Sequence, residues 1–237
     1  MNVISYSLFR GDPQEVAVDH KHTYLLGLLL NIQQRQKLLP NWQIWVYASS
    51  EYKNSPVLAY AKEHCRIIWK KPGKHWENVM WRYTPFFDSS VAACIVRDID
   101  SILQDLDALH VKQWLEKPDK VLLYTEYQMS GRAMGGGIGY KGTLTKPAFQ
   151  HWNKRGIDET FLELLPQAKP TLVTRMDGIG RYYEYCEGKE PEECRVVFGH
   201  ADHINLSGKG FRVLCSLLHK DTSVDLPNNK ELRPWVR

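Results

Sequence analysis

The chain runs through Val91-Ala92-Ala93-Cys94-Ile95-Val96 directly into Arg97-Asp98-Ile99-Asp100-Ser101. The first segment is almost continuously apolar, which is typical of a strand buried on both faces of a parallel sheet. The second segment begins with charged residues at the point where that strand ends. In open parallel α/β sheets, the ligand crevice lies beyond the carboxyl ends of the strands. Together the two segments predict a central strand that leads into a binding site.

Strands and helices alternate on both sides of this stretch. The predicted strands are residues 3–8, 43–47, 65–69, 91–96 and 121–124, and the predicted helices are 20–38, 57–64, 76–88 with a break at Pro85, and 106–115. This alternation favours an α/β fold with an open, mostly parallel central sheet and helices on both faces. Beyond about residue 130 we expect glycine-rich loops, short helices and isolated strands within the same domain.

The composition excludes several classes of protein. The chain has 237 residues, of which 43% are hydrophobic and 24% charged, so it is not disordered, collagen-like or a disulfide-dense miniprotein. The longest apolar run, residues 24–30, has seven residues, whereas a membrane-spanning helix needs about 20. The N-terminus does not resemble a signal peptide, so we expect a cytoplasmic protein without a transmembrane segment. A net charge of +4 with dispersed basic residues disfavours nucleic acid as a partner.

The two carboxylates after the central strand suit a divalent cation. In an extended chain, residues i and i+2 point the same way, so Asp98 and Asp100 could converge while Ile99 turns to the core. Carboxylate oxygens at a strand end are ligands that Mg²⁺ or Mn²⁺ accepts, together with water and phosphate oxygens. The alternative is that Asp98 caps the next element and Asp100 is only solvated.

A longer pattern carries a resemblance to a known family. Residues 81–83 (WRY), Asp88 and residues 97–101 (RDIDS) resemble nucleotide-sugar glycosyltransferases of the GT-A fold, with their Asp-x-Asp motif. Residues 134–139 (MGGGIG) are similar to the glycine-rich segment that lines the donor sugar in that family. Residues 156–162 (GIDETFL) resemble its acidic helix start that faces the acceptor. The members that the chain resembles most are the small sugar transferases of bacteria or large viruses. If the chain is viral, the expected location is the cytoplasm of the host cell.

The resemblance implies a domain division and a set of partners. Residues 1–220 would form the glycosyltransferase domain, with a nucleotide-binding half at 1–130, an acceptor and lid half at 131–220, and a tail or linker at 221–237. The donor would be a nucleoside diphosphate sugar, with a UDP-sugar favoured, and the acceptor a glycan or glycoprotein. The cofactor would be Mn²⁺ or Mg²⁺. The cation would lower the barrier to sugar transfer because it neutralises the negative charge of the leaving diphosphate.

The resemblance also implies roles for particular residues. The implied metal ligands are Asp98, Asp100 and His200, with His203 as an alternative to the histidine; the implied nucleotide-sugar contacts are Phe9, Arg10, Arg82, Asp98, Gly136 and Gly137; and the implied catalytic or acceptor-binding carboxylates are Asp158 and Glu159. Arg82 offers a bidentate fork to a diphosphate, or else forms an ordinary salt bridge on a helix surface. Asp158 and Glu159 could equally do no more than stabilise a helix start.

Three other functions each find some support in the sequence. A sugar nucleotidyltransferase would need a glycine-rich basic loop after the first strand, and residues 9–13 (FRGDP) hold one Gly and one Arg. A catalytically inactive glycan-binding domain would use the exposed aromatic residues. Residues 137–142 (GIGYKG) match the G-x-G-x-x-G pattern of dinucleotide binding, but no helix is predicted to begin there.

Overall fold

A computed structural model describes residues 1–9, 21–126, 133–144, 171–176, 181–184, 186–189 and 193–200. Its elements are β1 Asn2–Leu8, α1 Lys21–Leu38, β2 Trp42–Ser49, α2 Pro56–Ala61, β3 Arg66–Lys70, α3 His75–Met80, β4 Ala93–Val96, β5 Ser101–Leu103, α4 Asp105–Glu116, β6 Val121–Glu126, β7 Ala133–Lys141, β8 Thr171–Met176, β9 Arg181–Glu184 and β10 Val196–His200. Short 3-10 helices span Ser50–Tyr52 and Trp81–Phe87. None of the helices in these ranges is long and apolar enough to span a bilayer.

The described strands form a single sheet in the order β3-β2-β1-β4-β7-β6-β8-β9-β10-β5. In its six-stranded central part, β3 to β6, only β7 runs against the other strands. Strand β8 is parallel to β6, and β9, β10 and β5 extend the sheet by antiparallel pairing. The predicted α/β fold with an open, mostly parallel central sheet is confirmed.

Helices cover both faces of the sheet. Successive residues of a strand point to opposite faces, so neighbouring residues contact different helical layers. On β1, Ile4 and Tyr6 lie in a hydrophobic cluster with residues of α1, α2 and α4. Val3 lies in a second cluster with Met80 at the end of α3 and Phe86 of the 3-10 helix that follows it. The sheet therefore lies between two helical layers, as the sequence predicted.

Helix α1 is buried around most of its circumference. The predicted stripe of Leu25, Leu28, Leu29 and Ile32 is buried, and so are Leu26, Leu30 and the amide of Asn31. The reason is that α1 contacts β2, α2 and β5, so it has neighbours on more sides than the sheet alone provides. Residues 25–32 are buried on nearly all sides, so this part of the helix has no clear amphipathic period.

Two sequence predictions need correction. Residues 134–139 are not a loop: they belong to β7, which is hydrogen-bonded between β4 and β6. Glycine is unfavourable in strands, so a glycine-rich sequence does not predict one. Here the strand needs a glycine because a Cβ at position 139 would lie only 3.1 Å from side-chain atoms of both Ile95 and Leu122. The predicted helix 76–88 is α3 followed by a 3-10 helix that contains Pro85, because proline cannot continue an α-helical ladder.

Candidate active site at the end of the central strand

The strands of the parallel part end at one edge of the sheet. Register pairs Ser5 of β1 with Trp45 of β2 and with Val96 of β4, so the chain leaves all three strands on the same side. Phe9 follows β1 there, and residues 97–101 follow β4. The fold thus brings two of the predicted site segments to the edge where open α/β sheets bind ligands.

The Asp98–Asp100 segment is a turn and not an extended chain. The amide of Ser101 donates a hydrogen bond to the carbonyl oxygen of Asp98 at 3.0 Å, which closes a β-turn. The expectation that the two carboxylates converge through extended geometry is therefore wrong. Ile99 is buried, as expected, while Asp98 and Asp100 are both partly exposed.

Asp98 lies between a buried arginine and a glycine. Arg82 Nη1 donates to Asp98 Oδ1, and the Arg82 side chain is 8% exposed against 48% for Asp98. A Cβ at Gly136 would collide with the Asp98 carboxylate. The salt bridge of Arg82 is thus directed into the site and does not lie on a helix surface. These three residues are the part of the predicted site that the structure brings into contact.

The backbone around Arg82 is held by side chains from other elements. The Arg82 amide donates to Ser7 Oγ at 3.0 Å, and that hydroxyl donates to the carbonyl oxygen of Val79 at 3.1 Å. The hydroxyl of Tyr83 donates to the Gly135 carbonyl oxygen at 2.7 Å. The 3-10 helix is therefore tied to β1 on one side and to β7 on the other.

Tyr24 of α1 lies near the two carboxylates, a proximity that the sequence did not indicate. Burial, followed by the charges of Asp100 and Asp98, raises the pKa of its phenol to about 12. Tyr24 therefore lies within electrostatic reach of both carboxylates and stays protonated at neutral pH. A protonated phenol is a hydrogen-bond donor.

An aromatic group stands at the end of β1. The Phe9 ring meets His75 at 5.2 Å between centroids and Trp81 at 6.0 Å, both in edge-to-face geometry. His75 is exposed, while Phe9 and Trp81 are half-buried. Since Trp81 directly precedes Arg82, this aromatic group adjoins the Arg82–Asp98 pair along the chain.

His200 approaches the same turn by strand pairing. In the register of β10 with β5, His200 pairs with Ser101, the residue after Asp100. Only its backbone is described. Among the side chains that the structure does describe, no three His, Cys, Asp or Glu residues form a group that could hold a metal ion.

Of the other predicted donor contacts, Gly137 does not join Asp98. Gly137 faces away from it: a Cβ there would lie 2.9 Å from Cβ of Tyr124 on β6. Arg10, Asp158, Glu159 and His203 lie outside the described residues.

A fully buried ion pair supports the strand end. Arg97 donates to Asp107 through Nη2 at 2.8 Å and Nε at 3.1 Å, and through Nη1 to the carbonyl oxygens of Val96 and Ile138 at 2.8 and 3.2 Å. Burial acts to lower the pKa of Arg97, but the charge and hydrogen bonds of Asp107 outweigh it and raise that pKa. Tyr124 donates to Asp107 at 3.0 Å. The sequence did not single out Asp107, because acidic residues such as Asp105 and Asp107 are common in a first helical turn.

No protein-family model matches the chain, and no curated protein matches it. Among solved structures, it is similar to an active-site mutant of LgtC, at 12% identity and a TM-score of 0.50, over 99% of this chain and 100% of that one. A complex of galactosyltransferase LgtC with donor and acceptor sugar analogs matches at 10% identity and a TM-score of 0.37, over 98% and 69% of the two chains. The 4-diphosphocytidyl-2C-methyl-D-erythritol synthase of Anaerococcus prevotii DSM 20548 matches at 12% identity and a TM-score of 0.44, over 74% and 89%.

The first of these three likenesses shows a shared fold over nearly the whole of both chains. The GT-A-like fold that the resemblance predicted is thereby confirmed, as a mixed α/β, Rossmann-type arrangement.

Proposed function

We propose that the protein is a metal-dependent glycosyltransferase of the hexosyltransferase type, which moves a sugar from a nucleoside diphosphate sugar to a glycan or glycoprotein acceptor in the cytoplasm. The donor we favour is a UDP-sugar. The observation that carries the proposal is the contact of Asp98 with Arg82 and Gly136 at the carboxyl edge of the central strand. The fold shared with a LgtC structure adds to it.

The chemistry of the residues at this edge fits a hard divalent cation. Asp98 and Asp100 supply carboxylate oxygens, and the missing side chain at Gly136 leaves the space that the Asp98 carboxylate occupies. His200 is the third candidate, since its backbone pairs with Ser101. Mn²⁺ or Mg²⁺ held by these residues would neutralise the charge that develops on a leaving diphosphate.

Arg82 and the aromatic group supply contacts for the rest of the donor. A guanidinium has five N–H donors, so Arg82 can hold Asp98 and still donate to a phosphate oxygen. Tyr24, protonated at neutral pH, is a second donor near the carboxylates. The rings of Phe9, His75 and Trp81 offer an apolar surface for a nucleobase.

The acceptor would be bound and activated by other residues. We assign this role to Asp158, with Glu159 beside it: one carboxylate would take the proton of the acceptor hydroxyl in an inverting reaction, or bind the acceptor in a retaining one. Arg10 stays assigned to the nucleotide, whereas Gly137 loses its assignment to the donor sugar because its Cβ position faces Tyr124 on β6.

Calorimetric titration of UDP and GDP, with and without Mn²⁺, tests the proposal. We expect wild-type protein to bind one nucleotide in a Mn²⁺-dependent way and Asp100→Asn to lose about tenfold or more in that affinity. The matched control is Asp105→Asn, since Asp105 is an 82% exposed carboxylate on nearby α4, and this variant should bind as wild type does. If neither nucleotide binds in the presence of Mn²⁺, the proposal fails and a glycan-binding role becomes the better explanation.

A further inference from the structure

One face of α1 lies against the turn that carries Asp100. Tyr24, Gly27 and Asn31 are spaced three and four residues apart, so they line one side of the helix. We call Gly27 and Asn31 the α1 seat. Residues 99–103, which the seat contacts, are about 70 positions further along the chain.

At Gly27 the helix backbone touches the backbone of the turn. A Cβ added there would lie 2.9 Å from the Asp100 Cα and 3.0 Å from the carbonyl carbon of Ile99, and it would collide with the carbonyl oxygen of Ile99. Backbone atoms cannot swing aside as a long side chain can. Glycine at position 27 therefore sets how closely Asp100 approaches α1.

Asn31 holds the chain on both sides of Asp100. Its Nδ2 donates to the carbonyl oxygens of Ile99 at 3.0 Å and Ser101 at 3.2 Å, and its Oδ1 accepts from the Leu103 amide at 3.0 Å. Asn31 has no exposed surface. A buried amide is costly unless its polar atoms are paired, and here both are paired with backbone of this one segment.

We propose that Gly27 and Asn31 position the Asp100 carboxylate and thereby set the affinity of the candidate site for its divalent cation. The inference rests on the proposed function and adds two positioning residues to it. Neither residue touches the ligand: both act through the backbone on either side of Asp100. Metal sites tolerate ligand displacements of only about 0.5 Å, so a shift of the turn weakens binding even when the carboxylate itself is intact.

The test compares three alanine variants of the full-length protein. Asn31→Ala removes the three hydrogen bonds of Asn31 to residues 99–103, and Gly27→Ala pushes the turn away from the helix. The control is Leu29→Ala, which truncates a fully buried residue of the same helix. Leu29 lies about 160° around the helix from both seat residues. For each variant we would measure Mn²⁺ affinity by electron paramagnetic resonance, UDP affinity without metal, and the free energy of unfolding.

We expect Asn31→Ala and Gly27→Ala to weaken Mn²⁺ binding about 10- to 100-fold, the range seen for residues that support metal ligands. Leu29→Ala should lose stability but keep the wild-type Mn²⁺ affinity. UDP binding without metal, which we expect to be weak in the wild type, should be no weaker in the three variants. If Asn31→Ala does not fold, Gly27→Ala still tests the seat.

Two failures can be told apart. If the wild-type protein binds neither Mn²⁺ nor nucleotide, the proposed function and this inference are both overturned. If the wild type binds Mn²⁺ but the seat variants bind it no worse than Leu29→Ala does, only the positioning role is overturned.

Discussion

Gly136 matters because of what a side chain there would displace. Its missing Cβ leaves room for the Asp98 carboxylate, which Arg82 holds from the other side. We expect Gly136→Ala to push Asp98 out of this arrangement and to weaken Mn²⁺-dependent UDP binding about tenfold, or about 1.4 kcal/mol. Calorimetry on the folded variant measures this directly.

The control for this prediction is a glycine that is needed for a different reason. Gly142 has a backbone φ of +93° and no atom within 4 Å of an added Cβ. Gly142→Ala should therefore lose about 1–2 kcal/mol of stability through backbone strain, with unchanged nucleotide binding. Equal nucleotide affinity in the Gly136 and Gly142 variants would show that Gly136 has no special relation to the site.

At the scale of elements, α4 is joined to β4 by the buried pair of Arg97 and Asp107, both almost without exposed surface. Removing one partner leaves an uncompensated buried charge. We expect Asp107→Ala to lower the free energy of unfolding by about 3–5 kcal/mol, measured by urea denaturation.

The first turn of α4 provides the comparison. Asp105 is 82% exposed and lies 3.8 Å from Lys37, a surface pair worth less than about 1 kcal/mol. Asp105→Ala should therefore be nearly neutral. If both alanine variants lost similar amounts of unfolding free energy, the buried pair would not be the main source of stability. Helix-end electrostatics, which the two residues share, would then explain the loss.

At the scale of the whole molecule, polar side chains link the central strands to the far part of the sheet. The ring of His110 on α4 meets the Tyr124 hydroxyl of β6 through Nδ1 at 3.1 Å, and its Nε2 lies 3.9 Å from Glu184 of β9. Arg195, just before β10, donates to Glu184 at 2.9 Å. These contacts connect α4, β6, β9 and the residue that precedes β10.

This link predicts a pH dependence of stability. Burial lowers the pKa of His110; Asp107 and Glu184 oppose that shift, and Arg195 adds to it. The folded protein therefore binds this proton less readily than the unfolded chain, whose histidine titrates near 6.5. We expect the free energy of unfolding to fall as the pH drops from about 7.5 through 6.5 towards the lowered pKa, and His110→Gln to reduce that dependence.

Urea titrations at several pH values measure the effect. Leu109→Gln is the control, since Leu109 is an exposed neighbour that leaves the imidazole in place, and it should keep the full pH dependence. A wild-type profile that His110→Gln leaves unaltered would assign the dependence to other groups.

Local sequence was sufficient for the elements around the central strand. An unbroken apolar run predicted β4, and the charged residues after it predicted where a site would lie. The apolar run and the charged residues after it can both be read within one short segment. A strand that is buried on two faces needs apolar side chains at consecutive positions. The order of strands and helices then limited the fold to an open α/β sheet.

Only the tertiary structure decided how the candidate site is assembled. Glycines carry no hydrophobic period, so the position of β7 in the sheet and of Gly136 beside Asp98 depends on which strands pack around them. Likewise Asn31 has no signature in the helix that carries it: its role arises because folding brings the backbone of residues 99–103 within hydrogen-bond reach. Periodic burial can be read within one segment, whereas polar contacts between distant segments exist only once the chain has packed.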